Sequence, residues 1–140
     1  MVELRRHFPG KPHLISDIRD YTRTSCRLIW NESSDVPSIS ELELAVSEVA
    51  SNIMLHGMRG QPDGLIELTL NIEQMRACVT FSYPGCAFSP ETVPTPDFTA
   101  RAESGYGQYL IQRSVDEVHF SRNDAGLCTI CLIKNRRRCD

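Results

Sequence analysis

The chain reads as an α+β protein, a two-layer α/β sandwich whose mostly antiparallel sheet carries its helices on one face. Three observations predict this. Leu65–Ile72 (LIELTLNI) and Arg76–Ser82 (RACVTFS) alternate apolar and polar residues, as half-buried strands do, and only Glu73–Met75 separates them. Ser40–Gly57 (SELELAVSEVASNIMLHG) repeats at helical spacing: at about 100° per residue, Leu42, Val46, Val49 and Ile53 fall within one narrow arc and form a buried face. The segments follow one another as β-α-α-β-β-loop-α-β-β, with like elements grouped rather than strictly alternating.

Taken in order, Val2–Phe8 is an expected edge strand. Pro12 suits the first turn of a helix, where its missing N–H costs nothing, and Leu14, Ile18, Tyr21, Ser25 and Leu28 then recur at helical spacing to about Trp30. Asn31–Ser38, with Pro37, reads as a polar loop before the Ser40–Gly57 helix. Gly60–Gly64 (GQPDG) is a turn, followed by the two alternating strands. Pro84–Ser104 holds Pro84, Pro90, Pro94 and Pro96 without periodicity, and a loop of this length inside a domain is usually a functional lid or lacks order. A second short helix is expected from near Gly105, with Leu110, Ile111 and Val115 inward. Glu117–Ser121 and Leu127–Lys134 are strands joined by the turn Asn123–Gly126.

A length of 140 residues fits a single domain spanning 1–140. The net charge of −3 argues against direct nucleic-acid binding, and the basic run Arg136–Arg138 reads as a solvated tail. No apolar run is long enough to span a bilayer, and no apolar h-region follows Arg5 and Arg6, so a cytoplasmic protein with no membrane partner is expected. The six cysteines should then be reduced. Cys128-x-x-Cys131 has the spacing of half a zinc site, but residues three apart in a strand point to opposite faces, so no zinc is expected there.

The Ser40–Gly57 helix has a polar stripe beside its apolar face. Glu41, Glu48, Asn52 and His56 share the adjacent arc, and the last three stand at i, i+4 and i+8. A carboxylate there can take a proton or orient a nucleophile, and an amide oxygen is a hard ligand suited to Mg²⁺. The competing account is a solvated face beside the core, with His56 and Gly57 ending the helix.

The element order and three short motifs resemble the Bergerat-fold ATPases, the superfamily of gyrase, mismatch-repair proteins and histidine kinases. Within it, the small size is similar to the bacterial anti-sigma factor serine/threonine kinases. The resemblance covers about Phe8 to Lys134. Glu48-Val-Ala-Ser-Asn52-Ile-Met-Leu-His56-Gly57 resembles the family's N-box. The resemblance implies Glu48 as the catalytic general base, Asn52 as the residue holding Mg²⁺ between the phosphates, and His56 as a further contact of less defined role. Ser104-Gly105-Tyr106-Gly107 is similar to the second glycine box, where backbone N–H groups at a helix start approach phosphate oxygens. Thr129, in the final strand, matches a family hydroxyl that helps hold adenine.

The first glycine box departs from the family. Where the family has Asp-x-Gly-x-Gly, this chain has Tyr83-Pro84-Gly85-Cys86-Ala87. Gly85 keeps the first glycine, but Tyr83 stands where the family aspartate takes a hydrogen bond from the adenine amino group. Tyrosine is neutral at pH 7 and can stack on a base without replacing a charged acceptor. Such a bond contributes about 1.5–3 kcal/mol, or roughly ten- to a hundredfold in affinity, so ATP affinity is put in question at the base end.

Two functions lead, with a structural α+β protein of no related function as a third reading. One is an anti-sigma factor-type serine kinase that binds ATP and Mg²⁺ and phosphorylates a STAS-type anti-anti-sigma protein while sequestering a sigma factor or another regulator, as a homodimer. The other is a non-catalytic partner-switching module on the same fold. Retention of Glu48 and Asn52 favours the first, and Tyr83 favours the second.

Overall fold

Five strands form one sheet in the order β1-β2-β3-β5-β4, and every neighbouring pair is antiparallel. They are β1 (Val2–Pro9), β2 (Leu65–Ile72), β3 (Arg76–Pro84), β4 (Glu117–Arg122) and β5 (Leu127–Asn135). The helices are α1 (Ile15–Cys26), α2 (Val36–Asn52) and α3 (Glu103–Ser114). The computed structural model describes residues 1–31, 36–85, 103–123 and 125–136. Most of the expected lid, and the end of the basic tail, lie outside these residues.

The expected α+β sandwich is present. Strand alternation sorts the side chains into two faces. Ile66, Leu68, Leu70 and Ile72 of β2, Val79 and Phe81 of β3, and Ile130 and Leu132 of β5 are buried together with Leu42, Val46, Val49 and Ile53 of α2. Each such side chain contributes about 1.5–3 kcal/mol on leaving water. The opposite face is polar: Thr69 pairs with Thr80, Ser82 with Thr129, and His119 with Cys131 across neighbouring strands. Among the described residues no helix is long and apolar enough to cross a membrane.

Before β2, the helices differ from expectation at three places. Pro12–Leu14 forms a 3₁₀ turn, and α1 ends at Cys26 rather than near Trp30. Its last turn tightens through Leu28 N–H to Ser25 O and Ile29 N–H to Cys26 O, both 3.1 Å. This turns Leu28 outward, and Trp30 is buried with its indole N–H donating to Glu73 O at 2.8 Å. Second, α2 starts at Val36 rather than Ser40. Pro37 therefore lies in its first turn, where its missing N–H has no intrahelical acceptor to lose. Third, the regular α-helix stops at Asn52, and Ile53–Gly57 is a π-helical turn closed by Met58 N–H to Ile53 O at 2.7 Å.

Buried charge ties the layers together. Lys134 of β5 is 3% exposed, and its ammonium donates to Ser114 O at 2.8 Å and to Glu41 Oε2 at 3.2 Å. Glu43, buried on α2, accepts from Arg23 Nη1 of α1 at 3.1 Å.

Candidate functional site

Packing of α3 on α2 brings two of the sequence motifs together. Glu48 and Asn52 are one helical turn apart on α2, half-buried, on the same side. Gly107 of α3 lies against both. A β-carbon added at Gly107 would stand 2.9 Å from Glu48 Oε2 and 3.9 Å from Asn52 Nδ2 and Oδ1. The absent side chain thus leaves the room in which the carboxylate and amide face the helix.

Ser104, Gly105 and Tyr106 lie in the first turn of α3, which begins at Glu103 rather than near Gly105. The first four N–H groups of a helix have no intrahelical acceptor and carry partial positive charge. Gly105 is among them and Gly107, the fifth residue, is not, so the two glycines differ: Gly105 offers an N–H and Gly107 offers space. Next to it, Gln108 is 5% exposed, and its Oε1 has no hydrogen-bond partner among the described residues. Burying an unsatisfied amide oxygen costs about 1–3 kcal/mol, so a further donor is expected to meet it. Gln108 stands three residues before buried Ile111 and seven before Val115, a helical spacing that the sequence carried but that its polar character concealed.

His56 does not join this group. Its alignment with Glu48 and Asn52 assumed an unbroken α-helix, and the wider π turn after Asn52 breaks that progression. The imidazole is exposed.

The other end of the site is built by close backbone approach. Tyr83, at the end of β3, is fully buried, and its ring covers Gly57 of the π turn. A β-carbon at Gly57 would meet Tyr83 Cε2 at 2.7 Å. Gly85 has φ +144°, and a β-carbon there would run into Gly57 O. Gly85 O also accepts from Cys128 Sγ at 3.4 Å, and Cys128 is the cross-strand partner of Tyr83. Gly85 therefore locks β3 to the π turn.

Thr129 is placed on the other side of the sheet. It pairs with Ser82, the two hydroxyl oxygens are 3.4 Å apart, and both lie on the face opposite Tyr83. The structure does not bring it together with Glu48 and Asn52. Cys128, not singled out from the sequence, holds the helix-facing position beside Tyr83. Cys128 and Cys131 point to opposite faces, as the strand geometry requires.

At one end these residues have donor chemistry suited to a magnesium nucleotide. Glu48 and Asn52 supply hard oxygen donors, and the space at Gly107 and the buried Gln108 oxygen adjoin the α3 start. At the base end, Tyr83 fills the position against Gly57.

Comparison with known proteins places this geometry. The profile of the histidine kinase-like ATPase domain matches residues 8–134. An anti-sigma F factor of Bacillus cytotoxicus is 29% identical over 100 residues, which cover 69% of this chain and 68% of that protein. One of Bacillus cereus is 28% identical over the same shares. A histidine kinase domain from the blue-light activated histidine kinase of Erythrobacter litoralis superposes with a TM-score of 0.55 at 15% identity, over 91% of this chain and 61% of that chain. That last likeness concerns the fold.

Proposed function

This chain belongs to the histidine kinase-like ATPase family, and from that premise we propose that it is an anti-sigma factor-type serine-protein kinase acting in the cytoplasm as a homodimer. In this reading it binds ATP with Mg²⁺ between α2 and α3 and phosphorylates a STAS-type anti-anti-sigma protein while holding a sigma factor or another regulator in exchange. The observation that carries it is the seat of Gly107 against Glu48 and Asn52. The similarity to anti-sigma F factors supports the choice of partners.

Bound there, ATP would supply the phosphoryl group, and Mg²⁺ would offset the charge on its oxygens. The chain's own residues position and neutralise. Glu48 accepts the proton of the partner's serine hydroxyl. The Asn52 amide oxygen would hold the metal. N–H groups in the first turn of α3, Gly105 among them, would hold phosphate oxygens. Gly107 lets Glu48 and Asn52 approach the helix without a methyl group between them.

Two substitutions test this arrangement. Asn52→Ala is expected to weaken ATP binding in Mg²⁺ by roughly tenfold or more while Mg²⁺-free binding changes little. Calorimetric titration with and without Mg²⁺ reads it, and equal loss in both conditions removes the metal role. Gly107→Ala is expected to leave stability within about 1 kcal/mol of wild type, because the gain in helix propensity offsets displacement of the flexible Glu48 carboxylate. ATP affinity should nevertheless fall by roughly tenfold or more. Unchanged affinity in a folded Gly107→Ala protein would separate Gly107 from the nucleotide.

Tyr83 favours a second reading, the partner-switching module with weakened ATP binding. It stands where the resemblance implies the adenine acceptor, and its ring is buried against Gly57 rather than open to a base. Saturable, Mg²⁺-dependent ATP binding by the wild type excludes the nucleotide-free form of that reading.

A further inference from the structure

The sheet face opposite α2 brings two thiols together. Cys78 of β3 pairs with Ile133 and Cys131 of β5 pairs with Thr80, so the cysteines are diagonal neighbours on one face. Their sulfurs are 2.7 Å apart, and Cys78 Sγ is 3.8 Å from Thr80 Oγ1. Both residues are half-buried, within reach of a small solute. The gap exceeds the disulfide bond length of about 2.05 Å by only about 0.65 Å. The right-handed twist of an antiparallel pair brings one diagonal closer than the other, so closure needs no separation of the strands.

We propose that Cys78 and Cys131 are a peroxide-reactive dithiol that closes to an intrachain disulfide in the folded protein, a covalent modification site on the sheet face opposite α2.

The environment assigns the roles. The Cys131 S–H donates toward Cys78 and holds the Cys78 thiol down at about 6, helped by the Thr80 hydroxyl, Arg76 and His119, while burial opposes. Cys131 is pushed up, because it keeps the proton it shares with its neighbour. Glu117 stands 3.8 Å from Arg76 Nη2 and 3.2 Å from His119 Nε2 and moderates their effect; the β2 residues facing the pair, Asn71 and Thr69, are neutral. Cys78 is therefore the attacking thiolate. Its sulfur bonds to one oxygen of a hydroperoxide, the O–O bond breaks, and the departing hydroxide takes a proton to become water. Cys131 then attacks the sulfenic sulfur of Cys78: the S–S bond forms, the S–O bond breaks, and the second hydroxide leaves with the Cys131 proton as water. Two thiols are oxidised and one peroxide is reduced to two waters.

The test treats the reduced full chain with one equivalent of hydrogen peroxide and maps disulfides by peptide mass. The expected product has no disulfide between chains, is lighter by two hydrogens per chain, and is linked Cys78 to Cys131 before Cys26, Cys86, Cys128 or Cys139 reacts. The rate should be flat above neutral pH and fall by roughly tenfold per unit below pH 6, as the thiolate is protonated. Cys131→Ser should leave Cys78 as a dimedone-trappable sulfenic acid, and Cys78→Ser should slow peroxide consumption by roughly tenfold or more. A first product at other cysteines, a disulfide between two chains, or an unchanged rate in Cys78→Ser overturns the proposal. The wild-type map decides even where a variant folds poorly.

Discussion

Glu48→Gln is expected to leave the protein folded and to lower phosphoryl transfer to a STAS-type acceptor by about a hundred- to ten-thousandfold, the range of a positioned general base. The amide has nearly the shape of the carboxylate, so the contact with Gly107 and the half-buried place on α2 are kept. It cannot accept the hydroxyl proton as the serine attacks. Circular dichroism and thermal melting check the fold, and labelled phosphate on the acceptor checks the reaction. A Gln variant that transfers at the wild-type rate leaves Glu48 without the role of base, whatever else the site does.

Gly85→Ala is expected to destabilise the fold by about 3 kcal/mol or more. A φ of +144° is strained for any residue with a side chain, at about 1–3 kcal/mol. The added methyl would also overlap Gly57 O and crowd Met58 Cα, backbone atoms that no rotamer change can move aside. Displacing Gly57 in turn displaces the Tyr83 ring, which is fully buried. Urea unfolding measures the loss. Gly60 is the control: it has φ +85° but open space around it, so Gly60→Ala should cost only about 1 kcal/mol. Equal costs at the two positions would remove steric locking of β3 to the π turn.

Much of this was legible in the sequence because burial writes period into it. The arc Leu42, Val46, Val49 and Ile53 is buried as spaced, and the alternations of β2 and β3 give their registers. Where the period changes, reading fails. His56 was aligned by an α-helical count that the π turn ends at Asn52. Thr129 fits the motif in sequence, but strand parity puts it with Ser82 and Cys131, away from Tyr83. That parity is obscured because Leu132, Ile133 and Lys134 are buried in succession, so β5 does not alternate cleanly. Lys134 gives no hint of burial, since its partners Glu41 and Ser114 come from distant segments. Cys78 and Cys131 likewise lie 53 residues apart and meet only through the pairing of β3 with β5. Gly107 stands out in sequence as a motif glycine, yet the Glu48 carboxylate it faces comes against it only once α2 and α3 pack.

The proposed reaction depends first on ATP and Mg²⁺ binding at the α2–α3 site. The most direct measurement is thermal and calorimetric titration of the full chain with ATP, in the presence and absence of Mg²⁺. Saturable one-to-one binding is expected, needing Mg²⁺ and stabilising the fold by about 2.7 kcal/mol at a hundred times Kd. No stabilisation and no heat at millimolar ATP with Mg²⁺ would contradict it.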